Sequence, residues 1–295
     1  LNILLTGVNG QVGRELQHTL ADLGKVIAAD RQMLDLASAD SIRAFVRECR
    51  PDMIVNPAAY TAVDRAESEP ELAAAINARA PAELAIAAAE LGIPIVHFST
   101  DYVYDGSKVD AYVETDATTP QNVYGRTKLA GEHAIVASGA AHLIFRTSWV
   151  YGLHGKNFLL TMQRLARERA ELRVVADQFG APTWSRAIAV ASAACIARWL
   201  QDTELTTRSG VYHLSCGGRT SWHGFTAAIL AQMQADGETV ATLHAIPGSE
   251  YPTPARRPQN SVLSNARLAQ TFDVRMPDWD QALAQCLDSV KDLPL

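Results

Sequence analysis

Cysteine is scarce and scattered: Cys49, Cys195, Cys216 and Cys286 lie far apart with no C-x-x-C pair. That excludes a disulfide framework or a thiolate metal knuckle and fits reduced, buried thiols in a cytoplasmic protein. A basic excess is missing too. The formal net charge is -6, which argues against nucleic acid or an anionic membrane as the main partner, because either calls for a basic face. No uninterrupted apolar run approaches the roughly 18 residues of a membrane span. The opening run Leu1 to Leu5 meets Gly7 too soon to be a signal-peptide core. The histidines show no two-His helical spacing, so no zinc site is expected from them. Internal repeats and low-complexity tracts are absent as well.

What is present is an ordinary globular composition. With 295 residues, 48% of them hydrophobic, the chain holds one large or two medium domains. Residues 2–6 form a short apolar run of the kind buried in a parallel sheet, and Gly7-Val8-Asn9-Gly10-Gln11-Val12-Gly13 follows at once. This G-x-x-G-x-x-G leads into a helix expected over residues 11–23. Glycine is needed at such a turn so that the backbone can approach a pyrophosphate, whose charge is met by amides at the helix N-terminus. The pattern predicts dinucleotide binding.

A second strand is expected over residues 26–29, ending in Asp30-Arg31. An acid there binds the ribose hydroxyls of NAD, whereas a basic residue welcomes the 2'-phosphate of NADP. Having one of each, the chain leaves NADH and NADPH both open. Asp35 fits either an adenine contact or a helix cap. The third strand (53–56) exits through Asn56-Pro57-Ala58-Ala59-Tyr60-Thr61, small residues that suit a cofactor lying close or simple helix packing. Residues 64–91, rich in alanine, read as two helices, with Pro81 a break or restart.

A fourth strand (93–98) is followed by Ser99-Thr100-Asp101-Tyr102, at the strand end where open parallel sheets bind ligands. Residues 105–120 read as surface loop. Past Pro120 a helix is expected to run to Gly139, with Gly125 and Gly131 as weak points. It carries Tyr124 and Lys128, four residues apart and so on one face. An ammonium beside a phenol favours phenolate, which makes tyrosine a usable general acid near neutral pH. A fifth strand (142–147) ends near Trp149, which fits a pocket wall or the core. Strand and helix alternate through the first 150 residues, the pattern of an α/β fold with a doubly wound, Rossmann-type parallel sheet.

Beyond Gly152 the rhythm loosens. Helices are expected over 157–168 and 185–201, short strands over 172–175 and 211–214, and loop over 177–183. We expect residues 1–150 to form a dinucleotide-binding domain, with 172–215 adding strands and a helix to it. Residues 151–171 and 216–295 would then form a smaller mixed α/β domain for substrate. Arg256-Arg257 between prolines fits phosphate binding, a subunit contact or plain surface charge.

Together, the glycine triplet, Thr100, Tyr124 and Lys128 resemble the extended short-chain dehydrogenase/reductase family. The runs 56–64, 67–70, 99–103, 122–132, 145–151, 177–183 and 251–258 are similar to its branch that reduces a keto group on dTDP-linked sugars. The resemblance implies hydride transfer from NADPH or NADH to sugar C4, with a proton from Tyr124, Thr100 holding the keto oxygen, and Lys128 binding the nicotinamide ribose and lowering the Tyr124 pKa. It implies that Gly10, Gln11 and Val12 face the pyrophosphate, Asp30, Asp35 and Leu36 the adenosine end, and Ala59, Tyr60 and Thr61 the middle of the cofactor. Asp101, Tyr102 and Trp149 would line the sugar pocket, with Val63 near it. Some members of the family are magnesium-dependent homodimers bridged by acidic residues. Here Glu15 matches such a position but Arg186 and Ser289 stand at the other two, which puts Mg2+ and that mode of dimerisation in doubt. An epimerase or dehydratase with tightly held NAD and a non-catalytic dinucleotide sensor are the alternatives on the same fold.

Overall fold

In the computed structural model, which describes residues 1–291, the short apolar runs of the first half become strands, most of them buried on both faces and the edge strand 25–28 only partly. They are β1 (Asn2–Leu5), β2 (Lys25–Ala28), β3 (Met53–Asn56), β4 (Ile95–Thr100) and β5 (His142–Thr147). The strand Gly210–His213 completes a six-stranded sheet in the order Gly210–His213, β5, β4, β3, β1, β2. Every pairing in it is parallel, with Leu4 opposite Ile27 and Ile54, Ile54 opposite Ile95, and Ile95 opposite His142. The strand order reverses between β1 and β3, so a crevice opens beyond their carboxyl ends. The expected doubly wound α/β sheet is what forms.

Side-chain alternation assigns the two faces. Leu5, Val55, Val96 and Phe145 pack on one side against Leu16 and against Ile188, Cys195 and Trp199 of the helix Ser185–Trp199. Leu4, Ile54, Ile95 and Ile144 pack on the other against Ile42, Leu84 and Ile135. A further cluster, including Tyr151, Leu159, Trp184, Phe225 and Cys286, is built largely from the second half of the chain. Among the described residues no helix is long and apolar enough to cross a membrane.

Several elements differ from expectation for identifiable reasons. The first helix stops at Thr19, before Leu23. β4 is shifted to Ile95–Thr100, which puts Ser99 and Thr100 inside the strand and buries both. Residues 63–91 split into Val63–Ala66, Pro70–Ala74, a π-helical turn Ala75–Arg79, and Ala80–Leu91. A proline clashes with the carbonyl four residues earlier, and the widened turn ahead of Pro81 relieves that conflict. The segment 105–120 is more than surface, since Tyr112 is buried and stacks on Tyr104 at 4.2 Å.

The strand Glu171–Val175 does not join the main sheet. It pairs instead with Thr242–Ile246, and its exposed Glu171 and Arg173 are incompatible with a strand covered on both faces.

Candidate active site

The crevice starts at the glycine loop. Gly7 has φ +58, and a Cβ there would lie 2.8 Å from the backbone of Ala58. Glycine is therefore required where β1 and β3 exit side by side. The Gly10 amide donates to the Gly7 carbonyl at 2.9 Å. From Gly10 the chain enters the helix Gln11–Thr19, which has no side-chain N-cap and no acid in its first turn. Uncapped amides with the positive end of the helix dipole suit a phosphate. Gln11 Oε1 accepts from Asn157 Nδ2 at 3.0 Å, tying this loop to the helix Phe158–Glu168, which Asn157 caps.

At the far end of β2, Asp30 Oδ1 accepts from the amides of Gln32 and Met33 at 2.8 and 3.1 Å, and Arg31 is exposed. Asp35 holds the Ala37 amide at 2.9 Å, whereas Ser38 caps the helix Ala39–Cys49. Leu36 packs partly buried beside them. Ala59 is partly buried and Thr61 exposed, with Tyr60 between them. The Tyr60 amide donates to Asn77 Oδ1 at 2.8 Å and its hydroxyl donates to Glu69 at 2.5 Å.

Thr100, at the end of β4, and Tyr124, in the first turn of the helix Val123–Ala137, come together through their hydroxyls. The Thr100 hydroxyl also donates to Asp101 Oδ1 at 2.9 Å. Burial pushes the Tyr124 pKa well above the ordinary tyrosine value; the Thr100 bond opposes this, and the negative charge of Asp101 adds to it. Burial likewise raises the Asp101 carboxyl to about 6, against hydrogen bonding and the Arg257 charge.

Lys128 sits one turn beyond Tyr124 and is 1% exposed. Its Nζ donates to the Phe98 carbonyl at 2.5 Å and lies 3.1 Å from His97 Nε2. Burial lowers its pKa to about 8, and Glu132 pulls the other way. In this arrangement the amine is committed to β4 and is not among the groups that set the Tyr124 pKa.

The helix carrying both residues is held at close range. Its N-cap Asn122 accepts from the Gly125 amide at 2.8 Å. A Cβ on Gly125 would collide with the Tyr102 carbonyl, and one on Gly131 with the Asn77 carbonyl. The two expected weak points are thus points of backbone contact. Behind them, Glu132 receives a bidentate Arg146 at 2.6 and 3.0 Å and the Ser99 hydroxyl.

Tyr102 meets Tyr124 edge-on at 5.5 Å between centroids and accepts from Arg257 at 2.7 Å. Arg257 also pairs with Asp64 at 2.7 Å, next to Val63, whereas Arg256 is exposed. Trp149 has φ +48, is partly buried and stacks on Trp222 at 3.4 Å.

Sequence reasoning missed Asn56, Asn77, His97, Glu132, Arg146 and the Asp64–Arg257 pair. The available signal was a polar residue interrupting an apolar run, as His97 does within β4 and Asn56 at the end of β3.

With this geometry in view, comparison with known proteins is decisive. A family model described as RmlD substrate binding domain matches residues 1–292. The chain belongs to the RmlD family. A dTDP-4-dehydrorhamnose reductase of Burkholderia thailandensis is 48% identical over 99% of both chains. Its counterpart in Escherichia coli K12 is 47% identical over 98% of both. The crystal structure of a Bacillus anthracis dTDP-4-dehydrorhamnose reductase in complex with NADP superposes with a TM-score of 0.90 at 34% identity, covering 98% of this chain and 99% of that one. A Thermus thermophilus UDP-glucose 4-epimerase shares the fold, with a TM-score of 0.80 at 19% identity.

The magnesium dependence known within this family finds no fitting donor set here. Glu15 accepts from Arg186 Nε at 3.0 Å, so a guanidinium occupies the carboxylate that would hold the cation. The Ser289 hydroxyl donates to the Cys286 carbonyl at 2.7 Å. No group of three or more His, Cys, Asp or Glu side chains converges among the described residues, and Mg2+ demands octahedral oxygen ligands.

Proposed function

We propose that this RmlD-family chain is a reductase that converts dTDP-4-dehydro-β-L-rhamnose to dTDP-β-L-rhamnose with NADPH or NADH, the closing step of dTDP-L-rhamnose synthesis. The observation that carries the reading is the meeting of the Thr100 and Tyr124 hydroxyls beside Lys128, at the crevice that begins at Gly7. The crevice fits a dinucleotide: Gly7 allows the tight turn out of β1, and the uncapped start of the helix Gln11–Thr19 presents its first amides to a pyrophosphate. Bound there, the coenzyme supplies hydride.

The protein's part is electrostatic and protonic. As hydride reaches the carbonyl carbon, negative charge grows on its oxygen, and the Thr100 and Tyr124 hydroxyls stabilise it as donors. Tyr124 then releases its proton to that oxygen. A phenol whose pKa is raised in the resting site is a poor donor, and a positive charge brought near it would lower that pKa; Lys128, one turn along the same helix, would supply it. Asp101, Tyr102, Val63 and Trp149 would shape the sugar side. Residues 1–150, joined by the helix and strand within 185–213, would form the coenzyme lobe, and the remainder the sugar lobe. We place the reaction in the cytoplasm.

The test is to supply dTDP-4-keto-6-deoxyhexose, made in place with its upstream epimerase, and follow NADPH and NADH absorbance separately. Coenzyme oxidation matched to sugar reduction is expected. Stoichiometric NAD purifying with the protein and no net oxidation would instead mark an epimerase or dehydratase. Tyr124→Phe keeps the packing and removes the donor, so turnover should fall at least a hundredfold with the fold intact, within the ~10²–10⁴ range of general acid catalysis.

A further inference from the structure

Behind Lys128 runs a buried polar chain that the reaction as described does not use. His97 lies in the middle of β4 and is 0% exposed. One ring nitrogen, Nε2, faces Lys128 Nζ at 3.1 Å. The other, Nδ1, faces Asn56 Nδ2 at 3.1 Å. Asn56 Oδ1 in turn accepts from the Thr6 hydroxyl at 2.6 Å. Thr6 directly precedes Gly7, and both Thr6 and Asn56 are 1% exposed. The chain therefore crosses three neighbouring strand ends, from the start of the glycine loop to the catalytic lysine.

Uncompensated, such a string of polar groups would cost several kcal/mol to bury. Each member is satisfied by the next, so the chain is retained without orphaned atoms. The residue type at its centre also matters. A neutral imidazole presents one acceptor and one donor: Asn56 Nδ2 donates to Nδ1, so the ring proton sits on Nε2 and is offered to the amine. The imidazole stays neutral here, because burial and the neighbouring lysine both hold its pKa well below normal.

We propose that His97 is a positioning residue for Lys128, holding the amine from behind through the chain Thr6–Asn56–His97 and so coupling it to the loop that receives the coenzyme. This rests on the reductase reading, which makes Lys128 a working group of the site. The Phe98 carbonyl accepts from the amine and the His97 ring donates to it, so the two fix Nζ between them. The titratable or charged groups around the pair are Tyr124 and Glu132 on the helix of Lys128 and Arg146 on β5, which Glu132 neutralises. From β1 and β3 come the uncharged Thr6 and Asn56.

The experiment titrates the Lys128 amine directly by NMR of its ε and ζ positions, assigned with Lys128→Met, in the wild type, His97→Leu and His97→Gln. Loss of the ring N–H removes a donor that supports the neutral amine, so in His97→Leu the midpoint should rise by about one unit. A glutamine side chain at this position can offer an amide N–H toward the amine, so His97→Gln should recover at least half of that rise. Kinetics provide the second readout. The kcat deficit of His97→Leu should narrow as pH rises from 6.5 to 8.5, whereas a merely structural role predicts the same factor at every pH. Should His97→Leu fail to fold, Thr6→Val removes the far end of the chain at constant size and should shift the midpoint in the same direction by a smaller amount. An unmoved midpoint in the folded variants overturns the proposal. Absence of coenzyme oxidation by the wild type would overturn the reductase reading instead, and the titration, which needs no substrate, would still decide the contact.

Discussion

Asp101 shows how the site costs the fold stability. Its side chain is buried beside Thr100, one of its oxygens has no hydrogen-bond partner, and its pKa rises to about 6 because burial disfavours the charged form. An acid whose folded pKa exceeds its unfolded value binds more protons when folded. Its destabilising effect is therefore absent below about pH 4, grows between pH 4 and 6, and is complete above 6. Asp101→Asn keeps the shape and removes the charge. At pH 8 the variant should be more stable than the wild type by on the order of 2–3 kcal/mol, a gap that closes by pH 4. Denaturant unfolding at the two pH values checks this. An equal gap at both would mean that packing, and not charge, sets the difference. The persistence of such a carboxylate next to Thr100 is consistent with a role on the sugar side of the crevice, where stability is traded for function.

At the scale of elements, the helix Val123–Ala137 is held by contacts that its sequence disguises. Replacing Gly131 with alanine would gain about 1 kcal/mol of helix propensity on an exposed helix. Here a Cβ meets the Asn77 carbonyl, which is backbone and cannot swing aside. The clash should win, and Gly131→Ala should lower stability by about 1–3 kcal/mol, measured by thermal or denaturant unfolding. Asn77 is itself anchored, donating to the Tyr60 carbonyl and the Thr127 hydroxyl at 3.1 and 3.2 Å. The same contact explains what was legible beforehand. Strand runs, the glycine loop and the Tyr124–Lys128 spacing are local patterns, readable because strand and helix periodicity are short-range. That Gly131 approaches Asn77, that Glu171–Val175 prefers a partner some seventy residues on, and that Lys128 turns toward His97 depend on which elements meet. No window of sequence holds that information. The π turn ahead of Pro81 lies between the two cases, since the proline was visible as a disruption but its accommodation was not.

Over the whole molecule, the C-terminal part reaches back onto loops much earlier in the chain. The segment 251–261 lies across loops far apart in the chain: Ala255 donates to Asp64 at 3.2 Å, the Arg256 carbonyl accepts from Asn122 at 3.0 Å, Asn260 donates to the Gly106 carbonyl at 3.1 Å, and Ser261 donates to the Phe179 carbonyl at 2.8 Å. Arg257 is the charged centre of this strap. It binds Tyr102 and Asp64 together, each at 2.7 Å, and its guanidinium lies 5.9 Å from the Tyr102 ring centroid. Of the readings left open for Arg256-Arg257, Arg257 is thereby tied to Tyr102 and Asp64, while the exposed Arg256 donates to Gln121 Oε1 at 3.3 Å. Tyr102 in turn packs edge-on against Tyr124, so under the proposed function the strap would shape the sugar side. Arg257→Met retains much of the aliphatic stem and removes both charged hydrogen bonds, each worth roughly 1.5–3 kcal/mol. Because the lost contacts shape the pocket and lie away from the reacting hydroxyls, KM for the dTDP-sugar should rise about tenfold or more. KM for NADPH should stay within about twofold, with kcat reduced less than KM is raised. Steady-state kinetics with each substrate varied in turn decide it. A kcat loss equal to the loss in kcat/KM, with KM unchanged, would mean instead that Arg257 acts on the transition state through Tyr102 and Tyr124.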